Sequence, residues 1–134
     1  MESSPQRMDT HRFGTAINCI DGRVQEPVAT WLKERYQLDY IDMITEPGAD
    51  KVLATGSPEI LAAVREKVEI SVHQHGSTVV AVAGHHDCAG NPVSPEEHHE
   101  HIRAALRTLR FWNIPATIIG LWVDENWQVN EVPG

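Results

Sequence analysis

The sequence predicts an α/β domain, a mostly parallel β-sheet of four to five strands with helices on both faces. Short apolar runs suited to buried strands alternate with amphipathic stretches at helical spacing. The clearest run, Thr78 to Gly84 (TVVAVAG), is apolar at nearly every position, as expected of a strand covered on both faces. The chain has 134 residues, 41% of them hydrophobic, which is enough for one core and not for two.

The elements follow in order. Residues 1–12 read as a polar arm on a single domain spanning 1–134. Gly14 to Cys19 is an apolar run that suits a buried strand, and Pro27 to Tyr36 carries Val28, Trp31, Leu32 and Tyr36 at helical spacing, with Pro27 in the first turn. Leu38 to Ile44 is the next strand. A loop from Thr45 to Gly56 is broken by Pro47, Gly48 and Gly56. Ser57-Pro58-Glu59 opens a helix whose stripe is Ile60, Leu61, Val64, Val68 and Val72. After the strand at Thr78 to Gly84, Ser94-Pro95-Glu96-Glu97 forms a capping box and opens a helix with the stripe Ile102, Ala105, Leu106 and Leu109. Ala116 to Val123 is a fourth strand, and Asp124-Glu125-Asn126 turns the chain into a short edge strand, Trp127 to Val132. Trp31, Trp112, Trp122 and Trp127 read as core or oligomer-contact residues.

Composition narrows the partners. A formal net charge of -8 and a pI near 5.4 argue against nucleic acid, which requires a concentrated positive footprint. The longest apolar stretch falls far short of the roughly 20 residues of a membrane-spanning helix. MESSPQRMDTHR has no apolar segment of a signal peptide, so the expected compartment is the cytoplasm. Two cysteines in a reducing compartment are more often ligands or nucleophiles than a disulfide.

Both cysteines directly follow expected buried strands, in Cys19-Ile20-Asp21-Gly22-Arg23 and in Gly84-His85-His86-Asp87-Cys88-Ala89-Gly90. Loops at the carboxyl ends of neighbouring parallel strands converge where the strand order reverses. The spacing His85-x-x-Cys88 turns two side chains toward one ion, and Cys19 arrives from the other loop. Cys19, His85 and Cys88 would then be three ligands with a fourth position open, the pattern of a catalytic zinc. Asp21 and Arg23, two apart across Gly22, can form a charge-assisted pair in which Arg23 keeps Asp21 ionised.

These paired motifs resemble those of the β-class carbonic anhydrases, Cys-x-Asp-x-Arg and His-x-x-Cys. The resemblance runs from about Thr15 to Val123. It implies a Zn2+ cofactor on Cys19, His85 and Cys88, a catalytic dyad of Asp21 and Arg23, and hydration of carbon dioxide to bicarbonate with zinc-bound hydroxide as nucleophile. Hydrolysis of carbon disulfide or carbonyl sulfide at the same site, or a non-catalytic zinc-binding role, are the alternatives. The resemblance also implies a homodimer or larger homo-oligomer, for which Phe111-Trp112 and Leu121-Trp122 offer apolar surface. Where many relatives carry Arg-Asn-Ala-Gly after the second strand, this chain has Thr45-Glu46-Pro47-Gly48, and at 134 residues it is short for a family that commonly carries extra N-terminal helices. Glu46 is expected to be an exposed loop acid. His86 is either a proton shuttle or a solvated residue. His98, His99 and His101 are expected to lie on a solvated helix start, and His73 and His75 to favour the dipole at a helix end.

Overall fold

The computed structural model describes residues 11–134, so residues 1–10 of the expected arm lie outside the described residues. Its last part is tied down, since the Arg12 N–H donates to Asp39 Oδ2 at 2.8 Å. Five strands, β1 (Phe13–Asn18), β2 (Tyr40–Thr45), β3 (Val79–His85), β4 (Thr117–Val123) and β5 (Val129–Val132), form one sheet in the order β2-β1-β3-β4-β5. The first four are parallel, and β5 closes one edge antiparallel to β4. The helices are α1 (Gly22–Tyr36), α2 (Ala49–Thr55), α3 (Pro58–His75) and α4 (Pro95–Phe111). From β1 the chain crosses outward to β2, and from β3 it crosses the other way to β4. The loops leaving β1 and β3 therefore part from each other and open a crevice at the carboxyl end of the sheet.

Alternation along the central strands divides the apolar residues between the two faces of the one sheet. On one face Ala16, Ala81, Ala83 and Leu121 meet Val24, Val28 and Leu32 of α1. On the other, Ile17, Val80 and Val82 meet Leu53 of α2, Val64 and Val68 of α3, and Ile102, Leu106 and Leu109 of α4. The two long helices begin as their sequences dictate. Ser57 Oγ accepts from the Ile60 N–H and Ser94 Oγ from the Glu97 N–H, each followed by a proline in the first turn. Each such cap stabilises its helix by about 1 kcal/mol.

Four expectations need correction. Helix α1 starts at Gly22, not at Pro27, because Asp21 caps it by accepting from the Arg23 N–H. Pro27 therefore lies inside the helix, where its ring removes only the bond its own nitrogen would have sent to the Arg23 carbonyl. The segment expected as a loop from Thr45 to Gly56 contains α2, a short helix with Gly48 and Gly56 at its ends and Leu53 fully buried. The pairs offered for oligomer contact are mostly core: Trp112, Leu121 and Trp122 are buried, and only Phe111 stands out, 86% exposed. Finally, His98 is not solvated. It continues the α4 stripe four residues before Ile102 and is as buried as its apolar neighbours. Among the described residues, no helix is long and apolar enough to cross a membrane.

Candidate metal centre

Strands β1 and β3 end side by side, with Ala16 against Ala81 and Ile17 against Val82, which brings Cys19 next to His85 and Cys88. One ligand atom from each of the three lies within 4.8 Å of the others, and all three residues are buried. The two sulfurs are 3.9 Å apart and unbonded. A tetrahedral ion with bonds of about 2.3 Å to sulfur requires sulfurs about 3.8 Å apart, so the spacing fits zinc. His85 Nδ1 meets the His86 carbonyl at 2.7 Å, which fixes the proton there as a donor and frees Nε2. That Nε2 is buried with no partner. A buried lone pair facing two sulfurs calls for a cation.

Electrostatics agree with a site that takes up metal by releasing protons. Burial pushes His85 below its ordinary value, so it is neutral and able to ligate. Burial, with Cys19 beside it, pushes the Cys88 thiol up to about 11, while the backbone N–H groups of Gly90 and Asn91 pull the other way by facing its sulfur. A metal ion would displace that proton, because the thiolate is the ligand.

Asp21 and Arg23 lie at the rim. The Arg23 guanidinium meets the Asp21 carboxylate through Nη2 at 2.7 Å and Nε at 3.1 and 3.2 Å. This bond holds Asp21 down at about 2, well below its ordinary 3.8. Arg23 also reaches the second loop, donating to the Asp87 carbonyl at 3.3 Å and to its carboxylate at 3.4 Å. Gln25 Nε2 fastens the first loop from below through the carbonyls of Cys19 and Ile20. Both loops are thus bridged above and anchored on α1.

Trp127 belongs to this rim, a role its sequence position did not suggest. The Arg23 guanidinium stacks 4.7 Å over its ring, and the His86 ring stands edge-on 6.4 Å away. The tight turn before β5 delivers it: Asp124 accepts from the N–H groups of Asn126 and Gln128, and Trp127 adopts a φ of 59°. The signal available in sequence was the Asp124-Glu125-Asn126 turn, which places the next residue back over the sheet end. His86 is exposed beside this ring. Asp87 is also exposed and takes a φ of 59° between His85 and Cys88. Glu46 is half-buried, not exposed, at the end of β2, where its N–H donates to the Asn18 carbonyl.

A family model described as "Putative carbonic anhydrase" matches residues 9–133. The chain belongs to the carbonic anhydrase family. Among solved structures, a carbonic anhydrase from Glaciozyma antarctica is similar at a TM-score of 0.57 and 17% identity, over 89% of this chain and 81% of that one. The β-carbonic anhydrase CafA of Aspergillus fumigatus is similar at 0.53 and 12% identity, over 95% of this chain and 78% of that one. Two tetrameric β-carbonic anhydrases from Sordaria macrospora are represented by a chain similar at 0.53 and 12% identity, over 97% of this chain and 85% of that one. At these identities the structures speak to the fold, which is the one expected. No curated protein matches the sequence. In this carbonic anhydrase the Pro47-Gly48 segment packs against Gly90 of the second metal loop, where a Cβ on Gly90 would lie 2.5 Å from the Pro47 carbonyl carbon.

Proposed function

We propose that this protein hydrates carbon dioxide reversibly to bicarbonate, using zinc held by Cys19, His85 and Cys88. The observation that carries the reading is the convergence of two sulfurs and an unpartnered buried imidazole nitrogen beneath an Asp–Arg pair. Zinc in such a site supplies Lewis acidity that makes water a nucleophile near neutral pH. Asp21 accepts a hydrogen bond from the attacking water and so aims its lone pair at the substrate carbon. Arg23 keeps that carboxylate charged and fixed, and Trp127 holds Arg23 by stacking on it. His86, exposed at the rim, is placed to pass the released proton to buffer.

A homo-oligomer is part of the proposal. Ile20, between Cys19 and Asp21, is 57% exposed, and a second copy of the chain covering it would also complete the wall of the substrate pocket.

Metal analysis followed by stopped-flow carbon dioxide hydration tests the reading. One zinc per chain with turnover is expected, and Cys19→Ser or His85→Ala should abolish both together. Asp21→Asn should keep zinc and lose at least 100-fold in turnover, on the scale of a positioned acid–base group. Zinc without carbon dioxide turnover would sink the substrate assignment and direct the assay to carbon disulfide and carbonyl sulfide.

A further inference from the structure

Behind the second metal loop lies a buried ionisable pair that the reaction does not use. Asp50, near the start of α2, is 1% exposed, and His98, on the first turns of α4, is 2% exposed. His98 Nδ1 and Asp50 Oδ2 are 2.6 Å apart. A carboxylate oxygen only accepts, so His98 Nδ1 is the donor. The His98 ring packs on Trp122 at 5.1 Å. The other Asp50 oxygen accepts from the Lys51 N–H at 3.0 Å and from Asn91 Nδ2 at 3.2 Å. Asn91 Nδ2 also donates to His101 Nδ1 at 2.9 Å. With the amide reversed, its oxygen would face the carboxylate, so Asp50 dictates which way Asn91 points.

Asn91 is where this network joins the metal loop. Its own N–H returns to the Cys88 carbonyl at 3.3 Å, and it follows Gly90, whose backbone rests on Pro47-Gly48. The same carboxylate also lies against the other end of the loop. A Cβ on Gly84, the residue before His85, would meet Asp50 Oδ2 at 2.6 Å. Thus Asp50 touches the chain at both ends of the segment that carries His85 and Cys88.

We propose that the Asp50–His98 pair, acting through Asn91, is the positioning device of the second metal loop, holding the turn from Cys88 to Asn91 and the chain before His85 in place and so setting zinc affinity and thiolate donor strength. The inference rests on the reading of Cys19, His85 and Cys88 as zinc ligands. It assigns the His-rich start of α4 a task for which solvation gave none. It also explains why a chain with Thr45-Glu46-Pro47-Gly48 after β2 can still hold a rigid metal loop: the support comes from the helix that this segment introduces.

The test uses Asp50→Asn and Asn91→Ala in the full chain, with Ser71→Ala as a reference. Ser71 bonds Asp42 at 2.6 Å on the buried face of α3, away from the metal loops, and sets the scale of a purely structural loss. Zinc affinity is measured by chelator competition, and the thiolate-to-metal charge-transfer band is read after cobalt substitution. Both network variants should bind zinc 10- to 100-fold more weakly, the usual cost of losing an outer partner of a ligand. They should also shift the cobalt band, whereas Ser71→Ala should lower stability without either change. If Asp50→Asn does not fold, Asn91→Ala, which removes no charge, decides the matter. A folded Asn91→Ala with zinc affinity within twofold of the parent and an unshifted band overturns the inference. A parent protein that takes up no zinc overturns the metal reading itself.

Discussion

The two loops of the candidate metal centre are backed by polar pairs in opposite settings. After β1, the Arg23 side chain is 51% exposed and its partner Asp21 20% exposed, whereas behind the loop after β3 the His98 and Asp50 side chains are 2% and 1% exposed. In water an ion pair contributes little to stability, but its members can reorient and meet a substrate. Buried, a pair adds little net stability over apolar residues, yet breaking it is costly, so it fixes geometry. The first loop is arranged to act and the second to stay still.

The largest expected effect breaks the buried side of this contrast. Asp50→Ala leaves His98 without its acceptor and should lower the unfolding free energy of the metal-free protein by about 3–5 kcal/mol in urea titrations. A cost under about 1 kcal/mol would erase the distinction between the loops. Gly84→Ala sharpens it, because the added methyl must enter space held by the Asp50 carboxylate and should cost about 1–3 kcal/mol by the same measurement.

On the exposed side, Asp21→Asn should change stability by less than about 1 kcal/mol at neutral pH, since asparagine also caps a helix. The sign of its pH dependence follows from a carboxyl held at about 2 in the fold against an ordinary 3.8. The Asp21–Arg23 contribution is complete above the unfolded value and disappears as pH falls through the folded one. Parent and variant should therefore differ by a constant amount above about pH 5 and converge only as the pH falls toward about 1, read by thermal unfolding. Smallest of all, Arg65→Ala removes an exposed pair with Glu69 on α3 and should cost no more than about 0.5 kcal/mol.

The two cysteine motifs are legible because each follows an apolar strand, and strand ends are where a parallel sheet delivers side chains. The start of α1 is hidden in the sequence because Asp21 has two tasks, pairing with Arg23 and capping the helix, and only the first is apparent from the motif. The short α2 was hidden by its flanking Pro47, Gly48 and Gly56, which signal breaks in a segment too short to show periodicity. His98 could have been assigned to the buried stripe from its spacing to Ile102, but four charged or titratable neighbours in Glu96, Glu97, His99 and Glu100 argued for water.

By itself the sequence determined the α/β architecture, the caps of the two long helices and the three residues, Cys19, His85 and Cys88, that the fold brings together. These depend on periodicity and on partners a few residues away, which local chemistry specifies. Tertiary structure decided which polar residues are buried and what the rim is made of. Asp50 and His98 are 48 residues apart, and neither carries any sign of the other until α2 packs on α4. Trp127 is a core candidate until the β4–β5 turn lays it over Arg23. A buried charge is acceptable only when its partner arrives from elsewhere in the fold, so its place is written in the packing and not in the neighbouring residues.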